Sequence, residues 1–416
     1  QNILGMIGFS CYVLADSYFI SIAKGADGLT ALNLVMPLYS IIFSIGEMIG
    51  VGSAIRYAIS KIKKDADADD YFWNALIWCI LSSMLFVFAG IFFSADIMRV
   101  LGADEHIVAV GNNYTKIFMC FAPMFMCNYV TNAFVRNDGA PGIAMSATLF
   151  SSLFNIVFDY ILMFPMNLGM EGAALATALS PIIGMGICSI HFFSKKSSVR
   201  LVVCKPSVRK LVAGSQLGVS AFVGEMSSAV ITLAFNFVIL KLAGNVGVAA
   251  YGVVANIAIV TTAVFNGVAQ GSQPLISSCF GRGDKDGCTQ LKRMGYTTAF
   301  VLAAVMYSIL FIFAGQFVAV FNSEGSEMLR LYATEGVKLY FIGIFFAGIN
   351  IVGGGAFSAT EDAFKAAVVS VARGFVLILG AVFVMSAFFG MTGVWLAYAV
   401  AEGITTFIML VMAMRV

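Results

Sequence analysis

The chain has 416 residues, 60% of them hydrophobic and only 11% charged, with a net charge of +2. Soluble domains carry roughly 25% charged residues, so this inventory excludes a water-soluble surface and implies an all-α polytopic membrane protein. The near-neutral balance gives no electrostatic reason to bind nucleic acid.

A membrane-crossing helix needs about 20 mostly apolar residues. About twelve such runs are read, at 1–22, 28–58, 71–98, 107–135, 141–166, 171–194, 210–241, 247–279, 291–320, 330–358, 364–388 and 392–415. Gln1 stands directly before an apolar run; no signal peptide is seen, and an initiating segment is expected to be missing ahead of it. Turn chemistry separates the runs at Lys24-Gly25-Ala26-Asp27-Gly28, at Asn137-Asp138-Gly139-Ala140-Pro141 and at Gly281-Arg282-Gly283-Asp284.

Basic residues assign the sides of the membrane. Arg56, Lys61, Lys63 and Lys64 follow helix 2, Arg136 follows helix 4, and Arg282, Lys285, Lys292 and Arg293 follow helix 8. Lys195, Lys196, Arg200, Lys205, Arg209 and Lys210 lie between helices 6 and 7; Lys365 follows helix 10, and Arg415 is the penultimate residue. The other side holds only Lys24, Arg99, Lys116, Lys241, Arg330 and Lys338. Both termini and the stretch between helices 6 and 7 are therefore expected in the cytoplasm, in a multi-pass protein of the plasma membrane.

The two halves repeat. Gly28-Leu-Thr-Ala31 and Gly52-Ser53 match Gly247-Val-Ala-Ala250 and Gly271-Ser272 at one constant offset. Leu168-Gly169-Met170-Glu171-Gly172 matches Phe389-Gly390-Met391-Thr392-Gly393. Two pseudo-symmetric six-helix bundles follow, an N-terminal lobe at 1–194 and a C-terminal lobe at 210–416, joined by a cytoplasmic linker at 195–209. Repeats related by an axis along the membrane normal are a transporter architecture, with sites near the midplane.

Ionisable residues inside membrane helices mark ion or proton pathways. Helix 5 carries Asn155 and Asp159, four apart and so on one helix face. Asp16 on helix 1, Asn132 on helix 4 and Thr177 on helix 6 complete a set of carboxylate, amide and hydroxyl oxygens suited to a monovalent cation or a proton relay. For Asn132 or Thr177 alone the competing role is interhelical hydrogen bonding. In the second half, Glu225 on helix 7 is read either as a cation-binding acid or as the partner of Arg373 on helix 11; Glu402 and Glu47 are read as structural. Met226 beside Glu225, and Met119 and Met124 on helix 4, are candidates for an adaptable substrate surface.

Eight scattered cysteines without C-x-x-C spacing and two distant histidines suggest neither a metal centre nor a disulfide framework. No phosphate-binding glycine loop or Ser-His-Asp pattern is present. The expectation is a non-enzyme without a cofactor, driven by an ion gradient.

Several stretches resemble the multidrug and toxic compound extrusion (MATE) family. Helix 1 reads Val-Leu-Ala-Asp16-Ser-Tyr-Phe-Ile, and helix 4 ends Asn132-Ala-Phe-Val-Arg136-Asn137-Asp138-Gly139. Helix 5 holds Asn155-x-x-x-Asp159, and helix 6 begins Gly169-Met-x-Gly172-Ala-Ala-x-Ala-Thr177. The resemblance implies twelve helices in two bundles around a cleft that opens alternately to each side. It implies export of small cationic or amphipathic substrates in exchange for H+ or Na+, by a monomer in the lipid bilayer. It places a cation site, for Na+ or a proton, on Asp16, Asn155, Asp159 and Thr177 with Asn132 nearby, and a second-lobe acid on Glu225. Some members have an acid on helix 10; here Gly343-Ile-Phe-Phe-Ala-Gly-Ile-Asn350 has none, which assigns ion coupling to the first lobe. The competing readings are a related exporter of lipid-linked or polysaccharide substrates, and a non-transporting membrane receptor or scaffold.

Overall fold

The structure is a computed structural model that describes residues 2–321 and 326–414; Gln1 and Arg415 lie outside the described residues. Among those residues every regular element is helical. The helices form because long apolar runs must satisfy their backbone groups internally in lipid.

Ten helical segments are long and apolar enough to cross a membrane, and a bent pair makes an eleventh. Gly390, at φ 57° and ψ −135°, divides the longest segment into two. The described residues thus hold twelve crossings: α1 (Asn2–Gly25), α2 (Thr30–Ile62), α3 (Asp70–Val100), α4 (Glu105–Cys120 with Ala122–Asn137), α5 (Pro141–Met163), α6 (Gly169–Phe192), α7 (Val208–Gly244), α8 (Val246–Gly281), α9 (Lys285–Ile312), α10 (Glu327–Ala359), α11 (363–389) and α12 (391–413). The chain is a multi-pass membrane protein.

Two details depart from the apolar runs. The α4 pair bends by 46° at Phe121, because Pro123 has no N–H to donate and is accommodated in the first turn of a new helix. The ninth run, read as continuous to 320, stops at Ile312, and a separate short helix, Ala314–Phe321, follows.

The repeat is written into the backbone. Positive φ occurs at Gly25, Lys64, Gly139 and Gly169, and at nearly constant separation again at Gly244, Gly283, Glu361 and Gly390. Gly25 (φ 58°, ψ −143°) and Gly244 (φ 61°, ψ −157°) reverse the chain between α1 and α2 and between α7 and α8 in a conformation that a residue with a Cβ resists.

Packing separates residues up to Phe222, with Gly281–Gly283, from a second unit made of Val223–Phe280 and the described residues from Asp284 onward. In the first unit, Gly46 and Gly50 of α2 face α4. A Cβ on Gly50 would stand 3.0 Å from the backbone of Tyr129 and Val130, and one on Gly46 would stand 2.9 Å from Met126 Cα. Small residues four apart let two membrane helices touch backbone to backbone. Gly52 meets Gly214 and Gly218 meets Met48 in the same way, which fastens the start of α7 to α2 and groups it with the first unit. In the second unit, Gly348 packs on Phe265 and Gly343 on Tyr398.

The stretch between α6 and α7 is pinned to the first unit through Asp138. His191 Nε2 donates to Asp138 Oδ2 at 2.8 Å, as do Ser197 Oγ at 3.2 Å and the Ser198 backbone N at 2.9 Å. The Ser198 hydroxyl also reaches Asp138, and Tyr57 bonds Ser198 at 3.0 Å. Further along, Arg200 N donates to Asp69, Ser207 N donates to Asn74 Oδ1 at 2.6 Å, and Lys210 pairs with Asp70.

Candidate functional site

Four of the five first-half polar candidates converge. Asn155 and Asp159 follow one another by one turn on α5 and are fully buried; Thr177 on α6 and Asp16 on α1 are buried beside them. With the Asn155 amide nitrogen turned toward Asp159 Oδ2 (3.1 Å), its oxygen accepts from both Thr177 Oγ1 and Thr177 N at 3.2 Å. This orientation satisfies donor and acceptor together, and it ties α5 to α6 at the height of Asp159. Asp16 lies close enough that its charge acts on Asp159. One oxygen of each acid, Asp16 Oδ1 and Asp159 Oδ1, is buried without a hydrogen-bond partner among the described residues. A buried polar atom without a partner is costly, and two like charges in one dry site raise that cost further. The arrangement therefore favours the arrival of positive charge between the two acids.

Two residues that the sequence did not single out stand next to this group. The buried Tyr39 and Tyr114 hydroxyls bond each other, within reach of the charges of Asp16 and Asp159. Tyr39 stacks on Phe118 with ring centroids 3.6 Å apart. A lone hydroxyl in an apolar run was the available signal, shared by several tyrosines of the chain.

Asn132 belongs to a different network. Its Nδ2 donates to Ala144 O and Thr148 Oγ1, both at 3.2 Å, and its Oδ1 accepts from Arg136 at 2.7 Å, so it braces α4 against α5. Met119 is buried where α4 meets Gly90 of α3, and Met124 is exposed. Glu225 and Met226 are half-buried on α7.

The second unit holds its own buried charges. Arg373 sits in a π-helical turn, Ala372–Val376, within α11 and faces Glu402 of α12. Its Nε lies 3.1 Å from Glu402 Oε1 and 3.3 Å from Oε2, and a terminal nitrogen lies 2.7 Å from Oε1. Asn350 of α10 donates to Glu402 Oε2 at 2.7 Å, and Thr406 donates to Asn350 Oδ1 at 3.0 Å. Glu402 is the acid that Arg373 holds in these contacts. The sequence signal was available: Asn350, Arg373 and Glu402 each interrupt an apolar run.

Counting from the paired turns at Gly25 and Gly244, Phe235 occupies the position of Asp16; counting from Gly169 and Gly390, Tyr398 occupies that of Thr177. Phe235 stacks on Tyr251 and meets Tyr340 edge-on, and Tyr340 stacks on Tyr398 at 4.3 Å. Rings fill the place where the first unit collects oxygens.

A family model described as MatE matches residues 2–161 and 221–384, most of both halves. The chain belongs to the MATE family. Among its relatives, the multidrug export protein MepA of Staphylococcus aureus is 27% identical over 405 residues, covering 94% of this chain and 87% of that protein. MepA of Staphylococcus saprophyticus is 26% identical over 400 residues, with the same coverage. Among solved structures, a multidrug resistance MATE family transporter of the MOP superfamily in an outward-facing conformation superposes with a TM-score of 0.92 at 21% identity, covering 100% of this chain and 94% of that one. A MOP superfamily transporter from Pyrococcus furiosus, described as having a binding pocket of reverse polarity, gives a TM-score of 0.91 at 21% identity with the same coverage. The MATE fold, two bundles of six helices, is thereby established for this chain.

Proposed function

We propose that this MATE protein is a multidrug exporter that exchanges small cationic or amphipathic compounds for H+ or Na+ by alternating access. The observation that carries the reading is the pair of buried carboxylates, Asp16 and Asp159, each with one oxygen that no group among the described residues satisfies. The multidrug export proteins among its relatives support the substrate class.

In this reading the entering ion takes the unsatisfied oxygens of Asp16 and Asp159. Asn155, held by Thr177, keeps Asp159 in position to receive it. Neutralising a carboxylate lowers the cost of keeping it away from water, so the occupied site favours a closed packing of α1, α5 and α6. Drug and ion must favour different states, because a ligand that binds both states equally shifts nothing. The ion drives the cycle by stabilising the state in which the drug is weakly held. Glu225 and Met226 on α7 contribute to drug contact: the acid attracts a cation, and the thioether adapts to varied shapes.

The test is efflux of a fluorescent organic cation from proteoliposomes, with proton and sodium gradients imposed separately. Flux driven by one gradient names the ion, and flux driven by either describes a site that accepts both. Asp159→Asn, folded and reconstituted, is expected to lose gradient-driven flux while retaining drug binding. Full gradient-driven flux in that variant would overturn the coupling role.

A further inference from the structure

The stretch between α6 and α7 is neither a loose tether nor a buried loop. Its backbone N–H groups donate to Asp138 at Ser198, to Asp69 at Arg200 and to Asn74 at Ser207, and the Ser197 and Ser198 hydroxyls add to the hold on Asp138. A free polar tether would turn its apolar side chains away from water. Here the pinned backbone keeps them outward: Phe193 is 81% and Val203 76% exposed, and Leu201 and Val208 are exposed as well.

Five exposed basic side chains surround these apolar ones: Lys195, Lys196, Arg200, Lys205 and Arg209. None of the five forms an ion pair among the described contacts, whereas the neighbouring Lys61 and Lys210 are taken up by Asp69 and Asp70. The acids nearby that stay exposed are Asp65 and Asp67, and Asp67 already lies 3.7 Å from Lys210. The free charge of the strap is therefore positive. Both its ends run directly into helices long and apolar enough to cross a membrane, Phe192 closing α6 and Val208 opening α7, so the strap joins two crossings on one side of the bilayer.

We propose that residues 193–209 form an interfacial strap that binds anionic lipid headgroups. The five cations take the lipid phosphates, and Phe193, Leu201 and Val203 enter the boundary between headgroups and acyl chains. Exposed apolar side chains bind a membrane interface by area, and juxtamembrane Lys and Arg add attraction to anionic lipid. The strap leads into the α7 segment that is locked to α2 through Gly214 and Gly218, so its lipid contacts act on a packed part of the first unit.

The test uses the full chain carrying Val203→Trp in vesicles of phosphatidylcholine that contain an equal fraction of either brominated phosphatidylglycerol or brominated phosphatidylcholine. The emission gained over the parent protein is expected to be quenched about twofold more by the anionic lipid, a preference that fades at high salt as exposed charges are screened. Replacing all five basic residues by Gln should equalise the two lipids while leaving thermal unfolding unchanged. Should that variant not fold, the salt series makes the same comparison on the protein with its cations intact. Equal quenching by both lipids at low salt would overturn the headgroup preference. No quenching by either lipid, with ready quenching by aqueous iodide, would overturn the membrane contact itself.

Discussion

Replacing Arg373 by Met leaves Glu402 in the middle of α12 without its cation. The structure sets the size of the effect. The guanidinium supplies three of the short nitrogen contacts to the Glu402 carboxylate, at 2.7, 3.1 and 3.3 Å, and Asn350 alone remains on Oε2. Breaking one side of a buried ion pair costs about 3–5 kcal/mol, and an acid at the centre of a membrane helix costs about 2.5–3.5 kcal/mol by insertion measurements. A loss of about 3 kcal/mol is expected for Arg373→Met, and a similar loss for Glu402→Leu. The double variant removes both charges and should recover to within about 1 kcal/mol of the parent, because a buried pair and a well-packed apolar substitute are often equivalent. Unfolding in mixed-detergent titrations of all four proteins closes the cycle and isolates the pairwise energy. If Arg373→Met unfolds like the parent, or if the two losses simply add, the pair is not the contact that holds α11 to α12 and the reasoning fails.

Three further outcomes follow from contacts elsewhere. Asp138→Ala removes the acceptor shared by His191, Ser197 and Ser198, so limited trypsin should cut within 195–209 faster, by about tenfold if roughly 1.4 kcal/mol of local anchoring is lost; an unchanged cleavage rate would show that the strap is held elsewhere. Gly50→Val drives a side chain into the Tyr129 and Val130 backbone of α4 and should destabilise by about 1–3 kcal/mol, measured by the same detergent titration; Gly224→Val, where a Cβ would meet open space, is the control. Burial raises the Cys204 thiol above its ordinary range, with Asp70 adding to the effect and Lys210 opposing it. Its thiolate fraction at pH 7 is thereby lowered, so maleimide should label it more slowly than a cysteine placed at exposed Lys196, with the gap closing as pH rises through the Cys204 pKa.

Hydropathy sufficed for the crossings because a run of twenty apolar residues in a weakly charged chain has no other stable destination. The reversal at Gly25 was legible for a similar reason, since the local chemistry of Lys24-Gly25-Ala26-Asp27-Gly28 dictates it; at Gly244 only the gap between two apolar runs marked the break. The bend at Phe121 hinged on Pro123, which sits inside an apolar run and gives no hydropathy signal. The site divides along the same line. The spacing of Asn155 and Asp159 is a property of one helix, so the sequence contains it. Which polar residues meet across helices is a property of packing. Asn132 and Asn155 are the same residue type in similar runs, yet Thr148 and Arg136 engage the first while Thr177 and Asp159 engage the second. Arg373 was read in sequence as a partner for Glu225, and only the approach of α10, α11 and α12 sets it against Glu402.

The aromatic filling at Phe235 and Tyr398 bears on the stoichiometry of transport. A duplicated chain begins with two copies of any ion site, and two loaded copies would double the charge moved per drug. In this protein the copy that keeps its oxygens carries two carboxylates, so under the proposed coupling a turnover moves at most two unit charges inward. At a membrane potential of about 100 mV each charge is worth about 2.3 kcal/mol. Two of them yield about 4.6 kcal/mol, enough to hold a neutral drug roughly two-thousandfold more concentrated outside than inside. A monocationic drug, which must itself leave against the same potential, gives back one of those charges and reaches about fiftyfold.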